Sequence, residues 1–277
     1  RAAVEVMEVA YNRRARSMLR AAVEAFRPDV VYERHALHCR AGLDVARAAG
    51  LPLLLEVNSP MVDEMQKLGL LRLPRRARRT ERFVLGGADR VLAVTQVLAD
   101  RLVELGARRE NVVVIPNGAQ PERYDTSAHA AGQALRHRWN LPADAVVLGF
   151  VGFMRPWHRL DLVLRAMAAP GFEHAQLVMV GDGPALPDLL AEAAARGLAQ
   201  RVHAVGKVPG ELVPAHVCAF DVALVPAIND YASPLKLFDS LAAGVATLAP
   251  DQPNLREIVR DGQQAVLYRP GDEQDFV

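Results

Sequence analysis

Short apolar runs alternate with longer mixed stretches along the whole chain. The opening "RAAVEVMEVAYNRRARSMLRAAVEAF" reads as helix from its first residue, with no strand before it. "DVVYE" (29–33) then predicts a strand, and "RAGLDVARAAG" a helix stopped by Gly50, since glycine tolerates the left-handed backbone that ends helices. "LPLLLEV" (51–57) predicts a strand and 63–85 one long arginine-rich helical region. "ADRVLAVT" is a strand, "QVLADRLVELG" a helix stopped by Gly106, and "NVVVIPNG" a strand with a turn at Asn117-Gly118.

The stretch "AQPERYDTSAHAAG" is polar and without clear period, which places a domain boundary there. Alternation then resumes. Strands are expected at "AVVLGFVG", "AQLVMVG", "RVHAVG", "DVALVPA" and "VATLAP". Helices are expected near 160–167, 185–196, 213–219, 234–243 and 254–259. These strands are continuous apolar runs, the pattern of strands buried on both faces of a parallel sheet. The expectation is an α/β protein of two doubly wound, Rossmann-like parallel-sheet domains, 1–119 and 120–277.

Composition agrees with two globular domains. The chain has 277 residues, 51% hydrophobic and 23% charged, and a formal net charge of +1, so neither nucleic acid nor a membrane is called for by overall charge. Cys39 and Cys218 stand far apart and in no metal or redox spacing, as in a reduced, cytoplasmic protein. No apolar run reaches spanning length, and there is no signal-peptide pattern. The helical start and the stop at "PGDEQDFV" read as a piece of something longer. One local charge cluster stands out: Arg72, Arg75, Arg76, Arg78, Arg79 and Arg82 in "LRLPRRARRTER". A solvated helix face fits it. So does a patch for an anionic acceptor or a peripheral anionic membrane surface.

Ligands of open α/β sheets bind beyond the carboxyl ends of strands, so the residues following each strand carry the candidate chemistry. Gly152 opens "GFMRPWH", where backbone can approach a ligand and Arg155 can present a fork to phosphate. "GDGP" (181–184) is a tight turn whose Asp182 is expected to cap the next helix. "GKVPG" (206–210) is a loop free to bond a flat base, or a plain turn. In "NDYASPLKLFDSLAAG" a helix begins near Ser233. Its first N–H groups lack internal partners and form an anion site. Lys236 adds charge to that site, while Lys236 and Asp239 also fit an exposed i,i+3 pair.

Together "RPDVVYER", "VVVIPNGAQPERYD", "LGFVGFMRPWHRLDLVLRAM", "YASPLKLFDSLAAGVATLAP" and "NLREIVRDGQQAVLYRPGD" resemble glycosyltransferase family 4, retaining enzymes of the GT-B fold. The resemblance spans nearly all the chain. It implies two Rossmann-like domains facing a cleft, with the N-terminal domain lacking its first strands and the closing C-terminal helix missing. It implies transfer of a sugar from a nucleotide-diphosphate donor to an acceptor hydroxyl of a glycan, a lipid-linked sugar or a small molecule. No cofactor and no metal are implied. By position, Gly152, Arg155, Leu235 and Lys236 fall at the diphosphate. Asp239, Val208 and Gly181 fall at the ribose and base. Asn58 and Tyr231 fall near the reacting sugar. Two glutamates often stand eight apart in the family, and here Tyr231 and Asp239 occupy those positions. Tyr231 removes a carboxylate, which bears on turnover more than on donor binding. A sugar-nucleotide 2-epimerase of the same fold and a non-catalytic nucleotide-binding fragment remain the alternatives.

Overall fold

The computed structural model describes residues 2–276 and divides them into two compact units. The first is residues 2–116 with 231–233, and the second 117–230 with 234–276. The chain is α/β throughout, as its alternation predicts.

In the first unit α1 (Ala2–Phe26) leads into β1 (Val31–Arg34), α2 (Ala41–Ala49), β2 (Leu53–Val57), α3 (Met61–Lys67), α4 (Pro74–Gly87), β3 (Arg90–Ala93), α5 (Gln96–Leu105) and β4 (Val112–Val114). The four strands are parallel and lie in the order β1-β2-β3-β4. Gly50 and Gly106 end α2 and α5 with φ of 67° and 119°, the left-handed stops the sequence predicts. The region 63–85 is not one helix. Gly69 turns left-handed at φ 66°, and Pro74 opens a second helix, since proline suits a first turn but not an interior. The strands alternate: Leu53, Leu55, Val57, Val91 and Ala93 are buried, whereas Tyr32 and Val113, on the other face, are exposed.

α1 turns polar groups inward. Buried Glu5 accepts the backbone N–H groups of Arg72 (2.7 Å) and Leu73 (2.8 Å) and contacts His38 Nε2 at 3.2 Å. Asn12 donates to His38 O and accepts from Arg40 N, both at 2.9 Å. These bonds tie the start of α4 and the loop after β1 to one helix. Burial opposes the Glu5 charge, yet the two backbone donors and His38 hold its pKa below the usual range. Glu5→Gln sets an amide N–H₂ against groups that are themselves donors. It is expected to lower stability by about 2 kcal/mol, read as a shifted urea midpoint.

The second unit contains α6 (Thr126–Arg138), β5 (Val146–Val151), α7 (Leu160–Met167), β6 (Ala175–Val180), α8 (Leu186–Ala195), β7 (Val202–Gly206), α9 (Val213–Val217), β8 (Val222–Leu224), α10 (Leu235–Ala242), β9 (Ala246–Pro250), α11 (Pro253–Arg256), β10 (Val266–Tyr268) and α12 (Glu273–Phe276). Its six parallel strands run β10-β9-β8-β5-β6-β7. All six residues of β6 are buried, the double-sided burial expected of a central strand. α6 corrects the reading of 119–132 as irregular. Asp125 caps it by accepting Ala128 N at 3.0 Å, and its alanines sustain helix without an apolar period. The last predicted helix is shorter than expected, and β10 and α12 extend the alternation beyond it. Both cysteines are free.

Candidate functional site

Strand order locates the site. From β5 the chain proceeds outward through β6 and β7, then returns to the opposite side of β5 with β8. Such a switch point leaves a crevice beyond the carboxyl ends of the two strands. The loop after β5 is Gly152–His158, and the segment after β8 leads to α10.

Phe150, fully buried near the end of β5, forms the floor. Lys236, in the first turn of α10, holds its Nζ 3.9 Å from the Phe150 ring centroid. His158 lies on the same ring at 5.3 Å. Gly152 adopts φ 147°, and a Cβ there would lie 3.4 Å from Lys236 Nζ, so the glycine keeps the space beside the ammonium open. Arg155 is exposed, its guanidinium over the rings of Phe153 (4.6 Å) and Trp157 (5.2 Å). Among the described residues neither Lys236 nor Arg155 has a carboxylate partner. Burial pulls the Lys236 pKa down to about 7. Burial first, then the charges of Lys236 and Arg155, bring His158 to about 4. Neutral His158 accepts the Arg155 backbone N–H at 3.2 Å and so braces the loop. Leu235, the first residue of α10, is exposed, and no side chain caps the helix. Its N–H groups and Lys236 therefore present positive charge at one place.

Two sequence expectations are corrected here. Lys236 and Asp239 do not pair. Asp239 instead accepts the Tyr124 hydroxyl at 2.6 Å, and Lys236 sits over the aromatic floor. Asp182 does not cap α8. Its carboxylate accepts Gly183 N at 2.7 Å and pairs with Lys207 at 3.3 Å, and Ala185 stands at the cap position without a side-chain bond.

Gly181 lies at the end of β6 with φ 127° and donates to Gly206 O at 2.8 Å, linking the turns after β6 and β7. Val208, two residues on, borders an open groove of about 750 Å³ with Trp139 and His216. Gly152, Arg155, Lys236 and Gly181 thus share one end of the second unit's sheet. Asn58 and Tyr231 belong to the first unit. Asn58 follows β2 and donates to Glu56 Oε1 at 2.6 Å, while Tyr32 donates to the same carboxylate at 2.7 Å. Tyr231 is buried in the first unit's apolar cluster, and its carbonyl accepts the Thr95 hydroxyl at 2.8 Å. Reading strand ends alone missed Phe150, His158 and Tyr124. The aromatic residues of "FVGFMRPWH" (150–158) were the available signal for the first two.

The arginine cluster divides. Arg78 pairs with Asp63 and Glu81. Arg76 joins Arg13, Arg16 and Arg40 around a cavity of about 490 Å³ that also includes Asn12 and His38. Asp44 pairs with Arg16 (2.7 Å) and Arg40 (2.8 Å), leaving this cavity cationic. Among the described residues no group of His, Cys, Asp and Glu is placed to hold a metal ion. No helix there is long and apolar enough to cross a membrane.

Residues 2–118 match the family model described as a glycosyl transferase 4-like domain, and 145–277 the one described as glycosyl transferases group 1. The D-inositol 3-phosphate glycosyltransferase of Streptosporangium roseum is 30% identical over 267 residues, covering 91% of this chain and 60% of that protein. The 2-deoxystreptamine glucosyltransferase of Streptomyces kanamyceticus is 29% identical over 238 residues, 83% of this chain and 61% of its own. The chain thus spans about three-fifths of the length of these relatives. The crystal structure of Anabaena Alr3699/HepE in complex with UDP shares the fold at TM-score 0.75 and 20% identity, over 94% of this chain and 69% of that one.

Proposed function

Because the chain belongs to the family of group 1 and 4-like glycosyl transferases, we propose that it moves a sugar from a nucleoside-diphosphate donor to an acceptor hydroxyl with retention of anomeric configuration. One observation carries this reading. Lys236 is a lysine with no carboxylate partner among the described residues, set over Phe150 at the open start of α10 and beside Gly152. A diphosphate supplies the missing charge. As the bond from the anomeric carbon to phosphate oxygen breaks, negative charge grows on the leaving diphosphate. Lys236, Arg155 and the α10 N–H groups stabilise it there. The acceptor oxygen forms its bond to the anomeric carbon on the face the phosphate leaves, and its proton passes to the departing phosphate oxygen.

For the acceptor, the cationic cavity around Arg13 and Arg76 favours a small polyol or sugar bearing phosphate. The name of the D-inositol 3-phosphate glycosyltransferase relative supports the same class. A lipid-headgroup acceptor at a membrane surface is the competing outcome, and flotation with anionic vesicles separates the two.

The donor reading is tested by thermal shift with uridine, guanosine and adenosine diphosphates. One of the three is expected to raise Tm, and Arg155→Ala combined with Lys236→Ala to abolish the rise. No shift with any of them would sink the reading. Turnover of the matching nucleotide sugar then separates the chemistries: hydrolysis or transfer marks a transferase, conversion without acceptor an epimerase, and binding alone a non-catalytic fragment.

A further inference from the structure

Asp239, in α10, is not left to find its own orientation, because the Tyr124 hydroxyl donates to it. Tyr124 closes the turn Pro121–Tyr124 just ahead of α6. Its ring is buried, 6% exposed, in the cluster that includes Val147, Val178 and Phe220. A ring so packed cannot swing, so its hydroxyl is a fixed donor. That donor meets Asp239 Oδ1 at 2.6 Å, across 115 positions of sequence. The carboxylate makes no ion pair among the described residues, and its second oxygen, Oδ2, remains available as an acceptor. Asp239 stands one turn beyond Lys236 on α10, so the available oxygen lies along the helix from the diphosphate-facing ammonium.

We propose that Tyr124 is a positioning residue that holds Asp239 so that its free oxygen accepts a hydroxyl of the donor ribose, making the site selective for ribonucleotides over deoxyribonucleotides. The inference rests on the donor reading above. Burial, and then the bond to Asp239, push the phenol well above the usual tyrosine range, so it remains a donor at every working pH. A charge-assisted bond from an immobile group fixes direction as well as distance.

The test uses the diphosphate that binds best, together with its 2′-deoxy and 3′-deoxy counterparts, titrated by calorimetry against the full chain. Wild type is expected to prefer the ribonucleotide over at least one deoxy form by about tenfold or more. Tyr124→Phe keeps the ring and removes the hydroxyl. It is expected to weaken ribonucleotide binding several-fold and leave that deoxy form nearly unchanged, so the ratio falls. Asp239→Ala should remove the preference alone, and adding Tyr124→Phe should then change nothing further. Equal losses for both nucleotides would assign Tyr124 to packing and overturn the proposal, as would a wild type that does not discriminate. Absence of any nucleotide binding by wild type would overturn the donor reading itself, and this proposal with it.

Discussion

Lys236→Ala is expected to weaken nucleoside-diphosphate binding about a hundredfold near pH 7, the loss of a charge-assisted bond of about 2–3 kcal/mol. The wild-type affinity should also depend on pH in a way the variant's does not. Lys236 titrates near 7 because burial disfavours its charged form. In the proposed donor site a bound diphosphate requires that charge. At pH 7 about half of the charge is already present, and below it most of it. Above 7 binding must bring a proton with it, and affinity should fall by up to tenfold per pH unit. His158, at about 4, stays neutral through this range and adds no slope. Calorimetry between pH 7 and 9 reads the slope, and a flat wild-type profile would remove Lys236 from the diphosphate. The same shift has a stability consequence of opposite sign. A lysine whose folded pKa lies below its unfolded value destabilises the free protein most below pH 7. The penalty fades as pH rises toward the ordinary lysine value. Lys236→Met should therefore raise Tm in the absence of nucleotide at pH 6 and have little effect near pH 10.

What the sequence revealed and what it hid reflect the range of the forces involved. Strand–helix alternation, the glycine stops at Gly50 and Gly106, and the two parallel-sheet units are written in local pattern, and the family is legible in motifs at strand ends. α6 was missed because its alanines form helix by propensity rather than by an apolar stripe. The inward polar face of α1 inverts the rule by which amphipathic helices are read: Glu5 and Asn12 are buried while Met7 and Tyr11 are exposed. The partners of Lys236 and Asp239 were beyond local reading altogether. Spacing along α10 suggested that the two charges meet. Only the packing of β5 and of the turn before α6 supplies Phe150 to one and Tyr124 to the other.

Gly181→Ala is expected to destabilise the second unit by about 3–5 kcal/mol. The resemblance places Gly181 near the nucleotide, but the backbone gives it a heavier duty. A Cβ there would come within 2.1 Å of Gly152 O, and the residue holds φ 127°, a region that side chains other than glycine's rarely enter. Both neighbours are fixed: Gly152 donates to Val180 O at 2.9 Å, and Gly181 to Gly206 O at 2.8 Å. Neither turn can yield without breaking these bonds. Gly206→Ala is the control. It also has positive φ, 83°, but a Cβ would meet nothing within 4 Å, so only the backbone penalty of about 1–2 kcal/mol applies. Urea unfolding of the full chain, with the two units' transitions fitted separately, should show Gly181→Ala lowering the second unit's midpoint far more than Gly206→Ala. Equal effects would mean that close packing of the turns is not what requires the glycine. Gly181→Ala and Lys236→Ala then form a complementary pair. The first is expected to lose nucleotide binding because the turns no longer stack. The second is expected to lose it with the fold intact, because it removes charge and leaves the backbone untouched.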